Sequence, residues 1–347
     1  MLARVVGQSE ALAVLAASVA APVHAYLFHG PPGSGKRDAA LAFAAALTCP
    51  NGGDGSCVSC QDVLAGRHSD VVVVERQGAA IAVGDARTVA GLAQRTPRRG
   101  PRQVLVLTDF HLVDEAAPAL LKTIEEPPAS TVFLILADAL PATLTTIASR
   151  CVAVPFHALD EATLEQHLID EGIDPPTAAA AAAGASGRLD RARLLAGDPG
   201  FVARQERWRA VPDRLDGTGA TVAVLTEELL AAAEELVEVL KTRQAAELDE
   251  AKAAAERAGE RSVTGRQAIE DRHRREQRRV RTDELRAGLA TLAGAYRARL
   301  GAALPAPELA GALGRCAAID EAAAALVRNP NETLLLQALL LSLDDAG

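Results

Sequence analysis

The sequence predicts an α/β phosphate-loop domain built on a parallel sheet, followed by a small helical lid and then by helices alone. Three observations predict it. A glycine-rich loop, Gly30-Pro31-Pro32-Gly33-Ser34-Gly35-Lys36-Arg37, stands between a short apolar run and a helical segment. Four later runs rich in Val, Leu and Ile lack clean alternation, as strands buried on both faces do. Beyond residue 200 of the 347 there is no convincing strand, and an aromatic content of only 3% favours helices.

The elements follow in order. Residues 25–29 read as the first strand and residues 38–47 as the helix after the loop. Residues 70–75, 103–108, 131–137 and 151–155 supply the remaining strands, and the helical segments between them imply an α/β layer structure. The sheet domain is expected over residues 1–157, with an insertion at 49–60. Residues 158–200 read as the lid: Asp160 is a plausible N-cap, Glu161 adds charge that the first turn favours, Pro175-Pro176 separates two helices, and Gly184 to Gly187 marks a turn. Residues 201–347 form a third, all-helical part. Within it, residues 215–221 read as a linker, and residues 227–260 and 265–299 as long charged helices spanning about 222–300, with Leu229, Ala232, Leu236 and Leu240 at helical spacing. A last helical part runs over residues 307–343.

Composition excludes several functions. A net charge of −9 argues against a globally basic nucleic-acid binder. The same charge and the few aromatics argue against a standalone zinc-containing nucleic-acid module. No apolar run approaches a membrane span. The N-terminus lacks a basic region followed by an apolar one, so a cytoplasmic location is expected.

The loop carries chemistry. In the pattern G-x-x-x-x-G-K-[ST], backbone N–H groups cradle phosphates, the lysine reaches the terminal phosphates and the hydroxyl holds magnesium. Gly30, Gly33, Gly35 and Lys36 fit. The hydroxyl position is Arg37, which cannot ligate a metal. The second nucleotide motif, an apolar strand ending in an acid, is met by residues 104–108 and Asp109. The position after it, where a carboxylate would polarise the attacking water, is Phe110. Both departures oppose hydrolysis. Bound ATP or ADP stays open, and magnesium-dependent hydrolysis by this chain is not expected.

Two further features stand out. Thr146-Ile147-Ala148-Ser149-Arg150-Cys151 places an arginine at the rim of the sheet, where its permanent charge and planar donor fork suit a finger acting on a neighbouring subunit's phosphoryl group. Cys49, Cys57 and Cys60 resemble part of a structural zinc site, which needs four ligands. Asp54 in the same loop and His68 at the start of a strand are the candidates for the fourth.

Together these residues resemble a known family. Leu120-Leu121-Lys122-Thr123-Ile124-Glu125-Glu126-Pro127-Pro128, followed by Ser149-Arg150-Cys151, is close to the signature of the bacterial clamp-loader AAA+ subunits of DNA polymerase III. Val6-Gly7-Gln8, His24-Ala25-Tyr26-Leu27-Phe28 and the cysteine knuckle followed by His68-Ser69-Asp70 agree. So do Arg281-Thr282-Asp283-Glu284-Leu285-Arg286 and Arg328-Asn329-Pro330-Asn331. The resemblance covers most of the chain and favours the delta-prime branch, of an actinobacterial type.

The resemblance implies a subunit of a ring-like pentamer that opens a sliding clamp and places it on primed DNA. Its partners would be gamma/tau ATPase subunits and a delta subunit. It implies that Arg150 reaches the ATP site of the adjacent subunit and that the chain itself is a poor ATPase. The family knuckle has four cysteines; this chain matches three, with Asp54 at the missing place. The helical C-terminal domain would join the pentameric collar. The alternative, an active gamma/tau-type ATPase, is opposed by Arg37 and Phe110. The long charged helices have no assigned role. Their arginines, Arg272, Arg274, Arg275, Arg278, Arg279 and Arg281, are interspersed with Glu270, Asp271, Glu276, Asp283 and Glu284, which reads as a solvated helix face. Arg188 and Arg191 are both candidates for an arginine of the lid that senses nucleotide.

Overall fold

A computed structural model describes residues 1–2, 5–75, 83–113, 117–257, 266–299, 306–326 and 330–344. The chain divides into two compact units, Met1–Arg193 and Leu194–Gly347.

The first unit opens with α1 (Ser9–Ser18), β1 (Ala25–His29), α2 (Lys36–Thr48), α3 (Val58–Leu64), β2 (Val71–Val74), α4 (Val83–Ala93) and β3 (Gln103–Leu107). It continues through α5 (Ala117–Glu125), β4 (Thr131–Ala137), α6 (Thr145–Ala148) and β5 (Val152–Pro155). The five strands are all parallel, in the order β2-β3-β4-β1-β5. This is the parallel α/β sheet expected from the sequence, with the glycine loop directly after its first strand. Alternate residues of one strand serve opposite cores. Tyr26, Phe28, Val104 and Val106 join Phe43 of α2 on one face; Leu27, Leu105 and Phe133 join Leu120 and Ile124 of α5 on the other. Burial on both faces removes the alternation a half-exposed strand would show. Tyr26 meets Phe43 edge-on at 5.0 Å between ring centroids, and Phe28 stacks on Phe156 at 5.6 Å.

The expected strands are all present: β1 and β4 to the residue, β2, β3 and β5 with trimmed ends. Residue 70 drops out of β2 because the Asp70 carboxylate accepts backbone N–H bonds from Arg98, Arg99 and Gly100, at 2.8, 2.6 and 2.8 Å. The helix after the loop begins at Lys36 rather than residue 38, because Gly35, with φ 85°, passes straight from the loop into α2.

The lid comprises α7 (Glu161–Asp170), α8 (Pro175–Gly184) and α9 (Leu189–Ala196). Asp160 caps α7 by accepting from the Thr163 N–H. Pro175 and Pro176 open α8 behind an Asp174 cap; proline is tolerated there because the first-turn N–H groups have no intrahelical partner.

The second unit holds α10 (Phe201–Arg209), α11 (Val211–Arg214), α12 (Gly219–Arg257), α13 (Arg266–Ala298), α14 (Ala306–Ala325) and α15 (Glu332–Asp344), with no strand among the described residues. The expected linker at 215–221 is shorter, because α12 begins at Gly219. Leu225 and Leu229 of α12 pack with Leu285, Leu289 and Leu292 of α13 and with Leu336, Leu339 and Leu340 of α15. Trp208 lies flat on α13, so that a Cβ added to Gly288 would come within 2.0 Å of its ring. Buried Arg204 is paired with both Asp198 and Glu284.

On the long helices, Arg272 pairs with Glu247, Arg274 with Asp271, and Arg281 with Glu234 and Glu332. The mixed charge is thus largely internal. Arg328 and Asn329 lie outside the described residues, as do residues 258–260 and 265 of the expected long helices. No described helix is long and apolar enough to cross a membrane.

Candidate functional site

The glycine loop leaves β1 at its carboxyl end, between β4 and β5, the place where a parallel sheet opens a crevice for ligands. Gly30 has φ 147°, and a Cβ there would stand 2.1 Å from the Phe156 carbonyl oxygen. Gly33 and Gly35 are left-handed at φ 72° and 85°. Only glycine meets both demands at Gly30, the positive φ and the close backbone approach. Gln8, 3% exposed, ties this loop to the start of the lid. Its amide nitrogen donates to Ser34 O at 3.1 Å and His157 O at 2.8 Å, and its oxygen accepts from the His157 N–H at 3.1 Å.

Lys36 is turned inward. Its Nζ donates to Gly30 O and Pro31 O, both at 2.6 Å, and pairs with Asp138 Oδ1 at 2.9 Å. Burial pulls its pKa below the usual lysine range, against the opposing pull of Asp138. Asp138 follows β4 directly, and Asp109 follows β3 after one residue, Thr108. The same signal, an apolar strand ending in an acid, marks both residues, but only Asp109 was selected by sequence. Asp38, one turn into α2, has its carboxyl pushed up by burial.

Arg37 pairs with Glu75, the residue after β2, at 2.8 Å. Asp109 sits at the end of β3 with φ 52°, and Phe110 beside it is fully buried among Leu107, Val113 and Leu120. The position that would need a carboxylate is therefore a core residue.

The structure separates the two lid arginines. Arg191 is buried and donates to Gly184 O at 3.1 Å, which makes it a packing residue. Arg188 lies against the loop: a Cβ at Gly33 would be 2.7 Å from its Nε and 2.4 Å from Asp190 Oδ1. The Leu189 N–H donates to Gly33 O at 3.3 Å. The lid thus touches the phosphate loop at its central glycine.

Arg150 lies at the opposite, amino end of the sheet, ahead of β5. Its side chain is 41% exposed and paired with Glu125, the first acid of the Glu125-Glu126-Pro127-Pro128 run. Its guanidinium also donates to Thr146 O at 2.8 Å and Ser149 Oγ at 3.2 Å. Neighbouring Cys151 has its thiol pushed up to about 12 by burial, so it stays protonated and inert at neutral pH.

Cys49, Asp54, Cys57 and Cys60 converge, with one ligand atom from each lying within 4.8 Å of all the others. Such a set can hold a metal ion. Cys49 Sγ and Cys57 Sγ are 3.5 Å apart, and backbone N–H groups of Asn51 and Cys60 point at Cys49 and Cys57 sulfur. Burial raises the Cys49 thiol, but backbone donors at Gly53 and Asn51 and the neighbouring thiols outweigh it and bring it below its ordinary value. Burial pushes Cys60 up to about 12. Asp54 stays ionised far below the usual range because it accepts from the Cys57 and Ser56 N–H groups. His68 is left out of the cluster. It is buried, with Nε2 at 3.0 Å from Ser59 Oγ and Nδ1 accepting from the Asp70 N–H at 3.1 Å.

Comparison with known proteins bears on the first unit. Residues 7–160 match the family model described as DNA polymerase III, delta subunit. The chain is similar to DNA polymerase III subunit delta' of Bacillus subtilis, 31% identical over 44% of this chain and 47% of the relative. It is similar to the subunit delta' of Pseudomonas aeruginosa, 40% identical over 37% of this chain and 42% of that one. It also resembles subunit tau of Salmonella typhimurium, 34% identical over 49% of this chain and 28% of that one. The chain thus spans about half the length, or less, of these relatives.

Proposed function

We propose that this chain, whose residues 7–160 are of the delta-prime clamp-loader type, works as a non-hydrolysing AAA+ subunit of a DNA polymerase III clamp loader. It supplies Arg150 to the ATP site of an adjacent gamma/tau ATPase. Its partners are then those ATPase subunits and a delta subunit, with the sliding clamp and primed DNA engaged through the complex in the cytoplasm. The three-part division at 1–157, 158–200 and 201–347 goes with this reading, with the last part as a collar.

One observation carries it. Arg37, standing where the loop needs a hydroxyl for magnesium, is held by Glu75. A cation paired at that position does not recruit a second cation. The nucleotide machinery of Gly30, Gly33, Gly35, Lys36 and Asp109 is in this reading a scaffold. Arg150, at the far rim, is exposed enough to exchange Glu125 for a partner's phosphate. The similarity to tau keeps an active gamma/tau-type ATPase as the alternative; Arg37 and Phe110 oppose it.

The test is ATP turnover by the loader reconstituted with its ATPase subunits, clamp and primed DNA. Arg150→Ala should reduce turnover by about 10³–10⁵, the range for arginine fingers, while the complex still assembles. Turnover that stays within a few-fold of wild type would remove the finger role.

We also propose zinc as the metal of the knuckle, held by Cys49, Cys57, Cys60 and Asp54. A sulfur-rich set of four around one point suits its tetrahedral geometry. Bound zinc would supply a structural cross-link between the end of α2 and the start of α3. Elemental analysis of the purified chain should give one zinc per molecule, lost in Cys60→Ser. A folded wild-type chain that takes up no zinc would overturn the assignment.

A further inference from the structure

The phosphate loop of this chain meets its own acids. Backbone N–H groups of a left-handed glycine turn and a buried lysine make an anion site. Here two lid residues stand against the turn: a Cβ on Gly33 would lie 2.4 Å from Asp190 Oδ1 and 2.7 Å from Arg188 Nε. Asp190 is itself gripped by Arg188, at 3.2 Å from Nε and 2.9 Å from Nη2, and by the Arg191 N–H at 2.9 Å. The Arg188 side chain is 11% exposed, so this grip is largely shielded from water, while Asp190 at 40% faces the mouth of the loop. The second acid is Asp138, on Lys36 at 2.9 Å. The ammonium has three protons and three close oxygens, from Gly30, Pro31 and Asp138.

We infer that Asp190 and Asp138 are built-in anions of this phosphate loop: the lid carboxylate abuts the turn at Gly33, the strand carboxylate neutralises Lys36, and an incoming nucleotide phosphate must displace both. The inference rests on the proposed non-hydrolysing role and deepens it, by naming the residues that keep nucleotide out and hold the lid closed without it. A carboxylate held beside a phosphate repels it, and screening at an exposed mouth weakens that repulsion without abolishing it.

The experiment is equilibrium binding of ATP, with and without magnesium, to the full chain by titration calorimetry. Asp190→Ala and Asp138→Asn should each tighten ATP binding at least tenfold over wild type, and the pair of changes more than either. Adding Lys36→Ala to Asp190→Ala should remove the gain, which places the nucleotide in this loop. Asp190→Asn keeps the shape and the contact to Arg188, and should show a gain in the same direction should the alanine variant fold poorly. Folded variants that bind ATP no more tightly than wild type would overturn the inference. Such a failure leaves the role of Arg150 standing, because that role is read from a neighbour's turnover at the other rim of the sheet.

Discussion

The two rims of one sheet contrast sharply. The carboxyl rim carries the glycine loop and lysine of a nucleotide site, yet these groups are satisfied from within. Lys36 bonds to Gly30 O, Pro31 O and Asp138, Arg37 to Glu75, and Gln8 closes Ser34 onto His157. The amino rim, some 15 Å away along a strand of about five residues, carries no phosphate loop. It presents one half-exposed arginine held by the exposed carboxylate Glu125. The difference teaches that recognisable chemistry and available chemistry need not coincide. The rim that looks like an enzyme is built as an internal joint, and the plain rim holds the charge that can act elsewhere.

Three substitutions sharpen or break this comparison. The largest effect is expected at the joint. Gly30→Ala forces a Cβ to 2.1 Å from the Phe156 carbonyl at φ 147°, so neither the backbone angle nor the neighbouring backbone can yield cheaply. Chemical denaturation should show a loss of about 3 kcal/mol or more. A near-neutral result would mean that the loop is loose, as an open nucleotide cradle would be.

Gln8→Ala should cost less, about 2 kcal/mol, because it strands the buried Ser34 O and the part-buried N–H and C=O of His157. Hydrogen exchange of the lid should rise with it. Unchanged protection would show that the lid is held by other means.

The smallest effect belongs to the amino rim. Glu125→Gln removes the partner of Arg150, but both side chains are over a third exposed, and such pairs contribute under about 1 kcal/mol. Stability should hold within that margin. A large loss would make Arg150 a structural residue and weaken its case as a finger.

Much of this was legible in the sequence, for reasons that differ along the chain. Residues 131–137 were readable to the residue as β4, because a run buried on both faces between turn residues has few alternatives. The cysteine cluster was readable from spacing, including the approach of Asp54, because its members lie within one short loop. His68 was a fair competitor by spacing and is excluded only by its tertiary partners, Ser59 and the Asp70 N–H. Arg188 and Arg191 could not be told apart, since neighbours on a helix start look alike until one of them meets Gly33. Asp138, Asp190 and the clamp role of Gln8 were missed altogether. Gln8 bonds to His157, 149 residues away, and no local pattern encodes such a contact. The mixed charge of α13 was legible, and Asp271, three residues before its partner Arg274, lay within reach of it; the partners of Arg272 and Arg281 on α12 and α15 were not.

The packing of Trp208 on Gly288 has a use of its own. Trp208 is the chain's one tryptophan, and it is 2% exposed within the helical unit from Leu194 onward. Its emission is therefore a label, placed by the protein itself, that reports on the helical unit and is blind to the sheet. Followed beside far-ultraviolet dichroism, which averages over the whole backbone, it divides one melting curve into two and shows which unit yields first.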